Sequence, residues 1–205
     1  EPGDLLKITV VSLAPRVPYG VISNRHGKGA LIGELPRGAH NVSVFTPVEA
    51  RPEGLVGVLP VTEGGEGRIE FPLAPFLGIM GVAVSDDERP HSVPPGPHGG
   101  NIDIKLLTEG SVLYLPVQVA GALAYVGDPH FAQGDGEVAL TALEASLRAT
   151  LQFEVVPREV ALAEFGEIVG PLVRTDEYLV PTGMDVDLNV AMRNAVRAAV
   201  KLIEA

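Results

Sequence analysis

Prolines and glycines interrupt this chain so often that most of it has room only for short regular elements. The 205 residues include 24 glycines and 18 prolines. Between Ala14 and Gly65 they recur every few positions and separate short apolar segments such as NVSVF and GLVGVLPV. Since proline and glycine end regular elements while such segments favour strands, this region is predicted to form short strands on surface loops.

Alternation of apolar and polar residues predicts strands elsewhere in the chain. In LLKITVV, Leu6, Ile8 and Val10 alternate with polar neighbours, which is the period of a half-buried strand. RIEFPL, PFLGIMGVAV, VLYLPV and ALAYV are similarly strand-like. Residues 145–155 also alternate, although their Ala, Leu and Glu content favours helix. We predict one long strand there.

The last segment, DLNVAMRNAVRAAVKLIEA, is predicted to be an amphipathic helix. Asp185 or Asp187 can cap its first turn by accepting hydrogen bonds from free backbone N–H groups. At helical spacing its apolar residues form one stripe. The members of this stripe are Leu188, Ala191, Met192, Ala195, Val196, Ala199, Val200 and Ile203.

Composition excludes several classes of function. The formal net charge of −11 opposes binding to nucleic acid or to an anionic membrane surface. The absence of cysteine excludes disulfides, thiolate metal sites and cysteine nucleophiles. No apolar run approaches the roughly 20 residues of a membrane-spanning helix, and no secretion signal opens the chain. These features predict a cytoplasmic protein that acts on a small molecule.

Polar and ionisable residues concentrate in two glycine-rich clusters. The first cluster, in PHGGNID, consists of His98, Asn101 and Asp103. The second cluster, in GDPHFAQGDGE, is larger, and its members are Asp128, His130, Gln133, Asp135 and Glu137. An apolar, strand-like segment joins the clusters, and polar groups beside such segments are costly to bury unless they are paired, bound to metal or used on a ligand. We therefore predict that the clusters form a site.

The second cluster has ligands suited to a divalent metal. Asp128 and His130 are two positions apart, so an extended backbone would project them to one side, and Pro129 favours that backbone at Asp128. Asp135 and Glu137 repeat the spacing. Histidine with carboxylates suits zinc, manganese or iron, and an all-oxygen subset suits calcium or magnesium. The alternative is a pair of Asp/Gly turns whose carboxylates accept from nearby N–H groups.

Several other hydrolytic mechanisms lack their residues in this sequence. There is no G-x-S-x-G nucleophile motif and no Ser/Gly-rich segment of the serine-lysine amidases. A Glu-Lys-Cys site is impossible without cysteine, and no H-x-H metal motif occurs. Water activated by a metal remains as the hydrolytic chemistry that these residues could support.

The segments PFLGIMGVA, HGGNIDI, GSVLYLPV and GALAYVGDPHFAQGDGE resemble the acetamidase/formamidase family. The resemblance covers most of the chain and implies hydrolysis of short aliphatic amides, such as formamide and acetamide, to a carboxylate and ammonia. It also implies a divalent metal, a homo-oligomer, and a mostly β fold, sandwich- or barrel-like, with few helices. With the C-terminal helix, we expect an α+β chain overall.

The resemblance places family residues at the positions of both clusters, and we hypothesise the following roles for them from their chemistry. The metal, zinc with calcium and manganese as alternatives, would be held by His98, Asp128, His130 and Glu137. The catalytic residues would be Glu137 as the proton shuttle, Asp135 as the alternative shuttle, His98 and Asn101. Substrate would be bound by Gly99, Gly100, Asp103 and Gln133, with backbone N–H groups near Gly99 and Gly100 holding the oxyanion.

Compared with the family, the chain is expected to form one domain over residues 1–205 that lacks N-terminal and C-terminal parts of the full unit. A second hypothesis follows from this expectation. The chain would then be a non-catalytic, all-β module that binds a metal or small ligand through the same loops.

Overall fold

The computed structural model describes residues 1–38, 40–62, 64–85 and 89–205. Within these ranges the strands are β1 Leu5–Pro15, β2 Tyr19–Asn24, β3 Val42–Arg51, β4 Gly54–Pro60, β5 Arg68–Pro72, β6 Phe76–Gly81, β7 Gly99–Asn101, β8 Val112–Pro116, β9 Tyr125–Gln133, β10 Ala142–Glu144, β11 Leu147–Val156, β12 Leu172–Arg174 and β13 Leu179–Pro181. The helices are α1 Arg158–Phe165 and α2 Leu188–Glu204.

The fold class is as predicted. Strands make up 41% of the structure and helices 12%, one helix lies at the C-terminus, and the sheets are open rather than closed into barrels. The alternating segments predicted as strands at the start of the chain and after β10 are both strands. Among the described residues, neither helix has the length and apolar character needed to cross a membrane.

The described residues form two compact units. Unit 1 comprises Glu1–Ser12, Leu77–Gly127 and Thr150–Ala205, and unit 2 comprises Leu13–Phe76 and Asp128–Ala149.

Unit 1 contains a five-stranded sheet with the order β11, β1, β8, β12, β13. Strand β1 pairs antiparallel with β8, and Ile8 lies opposite Leu113. Both side chains are fully buried, as the alternation in β1 predicts. Strands β6 and β7 of this unit lie outside that sheet and pair antiparallel, with Met80 opposite Gly100.

Helix α1 covers part of this sheet and was not among the predicted elements. It follows Pro157, whose restricted φ suits the start of a helix, and it ends at Gly166 in the left-handed region. Phe165 of α1 packs against Tyr114 of β8, with ring centroids 5.0 Å apart. Its apolar residues do not form a single stripe, so periodicity gave no signal for it.

Helix α2 starts where the sequence predicts. The carboxylate of Asp187 accepts hydrogen bonds from the backbone N–H groups of Asn189 and Val190, which makes Asp187 the N-cap. Asp185 supports this turn by accepting from the Asp187 N–H. No residue of α2 is fully buried, and part of its apolar stripe, including Met192, is exposed.

Unit 2 is an antiparallel sheet in the order β5, β4, β3, β2, β10, followed by the part of β9 from Asp128 onward. The short strand β10 places Leu143 opposite Ile22 of β2 on one side and opposite Ala132 of β9 on the other. This position brings the second cluster, which lies on β9 and just after it, next to a buried strand.

The backbone differs from the sequence prediction at two places near the clusters. Ala122 and Leu123 lie in the left-handed region and form a turn, so ALAYV becomes a strand only from Tyr125. Asp128 also has a positive φ of 52°, although Pro129 favours an extended conformation. The prediction of an extended Asp128 was wrong because aspartate tolerates the left-handed region, and the pairing between β9 and β10 is irregular here.

Candidate active site

A buried histidine and a carboxylate form the centre of the second cluster. The side chain of His130 is fully buried, and its Nε2 atom lies 3.2 Å from Oε1 of Glu137. Glu137 is itself only 13% exposed. The other ring nitrogen, Nδ1, lies 3.1 Å from the carbonyl oxygen of Asp128. Because a carbonyl only accepts, Nδ1 carries a proton and donates to it.

This tautomer determines what the other side of the ring can do. In the neutral imidazole, Nε2 is then an acceptor that faces the acceptor oxygen of Glu137. Two acceptors at this distance require either a proton between them, carried by the imidazole or by the Glu137 carboxyl, or a cation bound by both atoms. A backbone carbonyl that fixes Nδ1–H is also the usual support of a metal-binding histidine.

Packing fixes the plane of this imidazole. Phe76, also fully buried, stacks on His130 with ring centroids 4.7 Å apart and planes within 5°. The stack limits rotation about χ2, so Nε2 stays directed at Glu137. The fully buried Phe131 follows His130 in β9, and its carbonyl accepts from the Ala74 N–H at 2.9 Å.

The predicted pairing of Asp135 with Glu137 on one face is not present. Asp135 is exposed and lies in a turn, whereas Glu137 is partly buried and has a φ of 42°. The turn at Asp135 and Gly136 breaks the extended backbone that would place them on one side. It also returns Glu137 to His130, seven positions earlier in the chain.

Glu144 is a third carboxylate in this environment that the sequence analysis did not single out. It lies opposite His130 in the β9–β10 pairing. Burial raises the pKa of the Glu144 carboxyl, and the nearby charges of Asp128 and Glu137 raise it further. Its position in a short strand between two other strands gave no motif that could have identified it.

Gln133, predicted to bind substrate, lies at the end of β9 in the wall of a cavity within unit 2. The cavity has a volume of about 350 Å³. Most of its wall is apolar, with Ile22, Phe71 and Leu143 contributing side chains. A small apolar pocket that contains one amide side chain suits a small ligand with a polar end.

The first cluster begins at a tight antiparallel turn in unit 1. Gly96 and Gly99 exchange backbone hydrogen bonds of 2.9 Å, and His98 between them is 7% exposed. Gly99 has a φ of 84°, and a Cβ there would collide with the carbonyl oxygen of Met80. Only glycine fits this position. Since the Gly99 N–H already donates to Gly96, it is not available to an oxyanion in this conformation.

Asn101 is the last residue of β7, and Asp103 lies two positions after it. The side-chain amide of Asn101 donates to the carbonyl oxygen of Val93 at 3.1 Å and so holds the segment that precedes the turn. The backbone N–H of Asp103 donates to the carbonyl of Gly78, and the residue is partly buried with a φ of 45°. Asn101 thus has a structural contact in addition to the catalytic role that was predicted for it.

Tyr125 lies beside the first cluster and was not predicted as a site residue. Its phenol ring packs over Gly81, where a Cβ would lie 2.5 Å from the hydroxyl oxygen. A Cβ on Gly100 would lie 3.5 Å from the same oxygen and 3.1 Å from Nε2 of His98. Burial raises the pKa of the Tyr125 hydroxyl, so it remains protonated and can donate.

The residues of the second cluster fit a divalent metal. The Nδ1–H of His130 is held by a backbone carbonyl, which leaves Nε2 as the nitrogen that can bind a metal, and Glu137 offers a carboxyl oxygen beside it. Nitrogen and oxygen donors of this kind suit zinc and manganese.

Known proteins with similar sequences and structures carry related names. A formamidase of Methylophilus methylotrophus is 30% identical over 179 aligned positions, which cover 67% of this chain and 44% of that protein. An acetamidase of Mycolicibacterium smegmatis is 55% identical over 61 residues, 30% of this chain and 15% of that protein. The crystal structure of an acetamidase from Bacillus halodurans superposes with a TM-score of 0.81 at 29% identity, covering all of this chain and 62% of that one.

The aligned regions therefore cover from about a seventh to about three fifths of these relatives' lengths, so the chain corresponds to only part of each. The model of the acetamidase/formamidase family matches residues 86–205, which is more than half of the chain and includes both clusters. On that match, the chain belongs to the acetamidase/formamidase family.

Proposed function

We propose that the protein hydrolyses short aliphatic amides, such as formamide and acetamide, to the carboxylate and ammonia. Family membership and the names of the relatives support this proposal. The observation that carries it is the geometry of His130, whose Nε2 lies 3.2 Å from the Glu137 carboxyl in a fully buried position. Such a pair suits acid–base chemistry assisted by a cation.

A divalent metal is the proposed cofactor, with zinc as the preferred ion and calcium or manganese as alternatives. His130 and Glu137 would hold it, and the sequence-based candidates His98 and Asp128 remain predicted ligands. When bound, such an ion polarises a carbonyl and lowers the pKa of a water molecule.

The chain's own groups then have the following roles. Water adds to the amide carbonyl carbon, the carbon–nitrogen bond breaks, and the nitrogen departs as ammonia after receiving a proton. Glu137 is the proposed carrier of that proton because it is partly buried and contacts His130. Asp135 remains the alternative carrier, although it is exposed.

Substrate binding is proposed for Asp103, Gln133, Gly99 and Gly100, with His98 and Asn101 as further catalytic residues. The Gly99 N–H is engaged with Gly96, and Gly100 pairs with Met80 in the ladder between β6 and β7, so an oxyanion held by these amides would have to displace one of the two contacts. The cavity beside Gln133 would accept the acyl group, since its walls are apolar and its volume is about 350 Å³.

Ammonia release from formamide and acetamide tests the activity. We expect multiple turnovers per chain that fall when His130 is replaced by alanine. The competing hypothesis is a non-catalytic module that binds metal or a small ligand through the same loops. It predicts no ammonia release while metal or acetamide still raises the melting temperature.

Two further properties are proposed from the family resemblance and the composition. We propose a homo-oligomer, which light scattering after size-exclusion chromatography would measure, and the contrary result is a monomeric mass at micromolar concentration. We also propose a cytoplasmic location, which cell fractionation would check.

A further inference from the structure

Unit 1 contains a cavity that is lined mainly by residues from Phe165 to Leu202. Its volume is about 350 Å³, and it lies between the inner face of α2, the segment after α1 and the segment after β13. The apolar part of its wall includes Phe165, Ile168, Leu172, Met184 and Leu202. Pro97, which directly precedes His98, also lies in the wall, but none of the eight site candidates of the two clusters does.

The close approach of a loop to α2 helps to form this cavity. Gly183 lies against the helix, and a Cβ at this position would collide with the backbone of Ala191 and Ala195. Asn194 of α2 donates to the carbonyl oxygen of Met184, which fixes the next residue of the same loop. Thr182 donates to the carbonyl of Pro171 at 2.7 Å. The wall is therefore tied together by specific contacts on both sides.

Two cations lie one helical turn apart in the wall. They are Arg197 and Lys201 of α2. Within the described part of the chain, neither forms an ion pair with a carboxylate, and Arg197 donates instead to the neutral oxygen of Asn194 at 3.0 Å. One anion, Glu167, also lies in the wall, so the wall has a net positive charge.

This charge is unusual for the chain as a whole. The protein has 26 acidic and 15 basic residues, yet its apolar cavity is lined by two cations and one anion. An apolar cavity with adjacent, unneutralised cations is complementary to a carboxylate with an apolar tail. The cavity volume of about 350 Å³ is near the lower end of the range for small-molecule pockets, which suits a ligand of modest length.

We propose that this cavity binds a medium-chain aliphatic monocarboxylate of about the size of octanoate. The carboxylate contacts Arg197 and Lys201, and the tail lies against Phe165, Ile168 and Met184. The inference goes beyond the amidase proposal and does not depend on it, because hydrolysis is assigned to residues outside this wall.

The three methionines of the chain provide a direct test. Met184 lies in the cavity wall, Met80 is fully buried in β6, and Met192 is 55% exposed on the outer side of α2. Protein labelled with ¹³C in its methionine methyl groups is titrated with sodium octanoate, and M184L and M192L variants assign the signals. We expect a saturable shift of the Met184 signal while the Met80 and Met192 signals stay in place.

Ligands with the same tail separate the role of charge from that of apolar contact. Octan-1-ol and octylammonium are titrated in parallel, and octanoate is expected to bind about tenfold more tightly than either. The double variant R197Q/K201Q should lose this preference. R193Q is the matched control because Arg193 lies on the same helix but not in the wall.

Three results would overturn the proposal. The Met184 signal could remain fixed at octanoate concentrations that already shift Met192, which would indicate adsorption to the exposed side of α2. Octylammonium could bind as tightly as octanoate. R193Q could weaken octanoate binding as much as the double variant does. The ligand series with the unmodified protein decides the question even if the double variant does not fold.

Discussion

The ring of Phe76 lies parallel to the imidazole of His130, with centroids 4.7 Å apart, and both side chains are fully buried. This stack, together with the Asp128 carbonyl at Nδ1, sets the direction in which Nε2 points. The orientation of the histidine is therefore determined by groups that carry no charge. We expect the geometry to be sensitive to a change in packing.

Replacing Phe76 by leucine tests that dependence. Loss of the ring should lower the free energy of unfolding by about 1–3 kcal/mol, since large-to-small core changes lose apolar contact and leave space. It should also weaken metal binding because the imidazole becomes free to rotate. Urea unfolding and metal titration measure the two effects. Phe165→Leu, in the core of unit 1, is the control that should lose stability without losing metal affinity.

Glu137→Gln separates a proton carrier from a ligand. If Glu137 carries the proton, the variant should lose about 10²–10⁴-fold in turnover, because glutamine cannot ionise, and it should retain its metal and its fold. If Glu137 is a metal ligand, the variant should lose its metal as well. Asp135→Asn tests the alternative carrier, and Glu53→Gln, at an exposed position, is the control. Near-normal turnover of Glu137→Gln with metal retained would transfer the role to Asp135 or His130.

Removal of metal should destabilise the protein. A ligand that binds only the folded state at a hundred times its Kd adds about 2.7 kcal/mol to the free energy of unfolding. Elemental analysis of protein never exposed to chelator should find a divalent ion, and chelator should lower the melting temperature. The metal proposal fails if no ion is found and added zinc, manganese and calcium all leave the melting temperature unchanged.

The substrate profile should fall with acyl size. The cavity beside Gln133 is small and apolar, so formamide, acetamide and propionamide should be preferred to aryl and peptide amides. Each extra methylene changes discrimination by roughly 1–3 kcal/mol in such a pocket. Steady-state kinetics across the series measure this, and kcat/KM values that rise toward bulky aromatic amides would contradict the pocket assignment.

Helix α2 should lose stability when its cap is removed. Asp187→Ala leaves the N–H groups of Asn189 and Val190 without their acceptor, at a cost of about 1 kcal/mol. Asp187→Asn should retain most of the stability because an amide oxygen can still accept. Asp176→Ala, at an exposed turn, is the control, and an equal effect of Asp176→Ala in urea unfolding would argue against a specific cap.

Regular periodicity explains why much of the fold could be predicted. In β1 the buried Leu6, Ile8 and Val10 follow the period of two, and the start of α2 follows from Asp187 and the apolar residues after it. Helix α1 was missed because its eight residues are too few and too evenly polar to give a period.

The details of the site depend on interactions that no local rule contains. Pro129 favours an extended backbone at Asp128, but Asp128 has a positive φ, and its carbonyl accepts a hydrogen bond from His130. The contact between His130 and Glu137 depends on the turn at Asp135, which reverses the chain between them. Residue types and spacing identified the cluster, but the choice of partners depended on tertiary structure.

The pairing of β9 with β10 contains a β-bulge that shifts the register by one residue. Ala132 lies opposite Leu143, but the next residue of β10, Glu144, lies opposite His130, so Phe131 is an extra residue. Deleting that one residue would restore continuous pairing and reverse the parity of the strand on its N-terminal side. Deleting Phe131 should therefore lower activity more than substituting it. The deletion would redirect His130 away from Glu137 while leaving every ionisable group of the site in the chain.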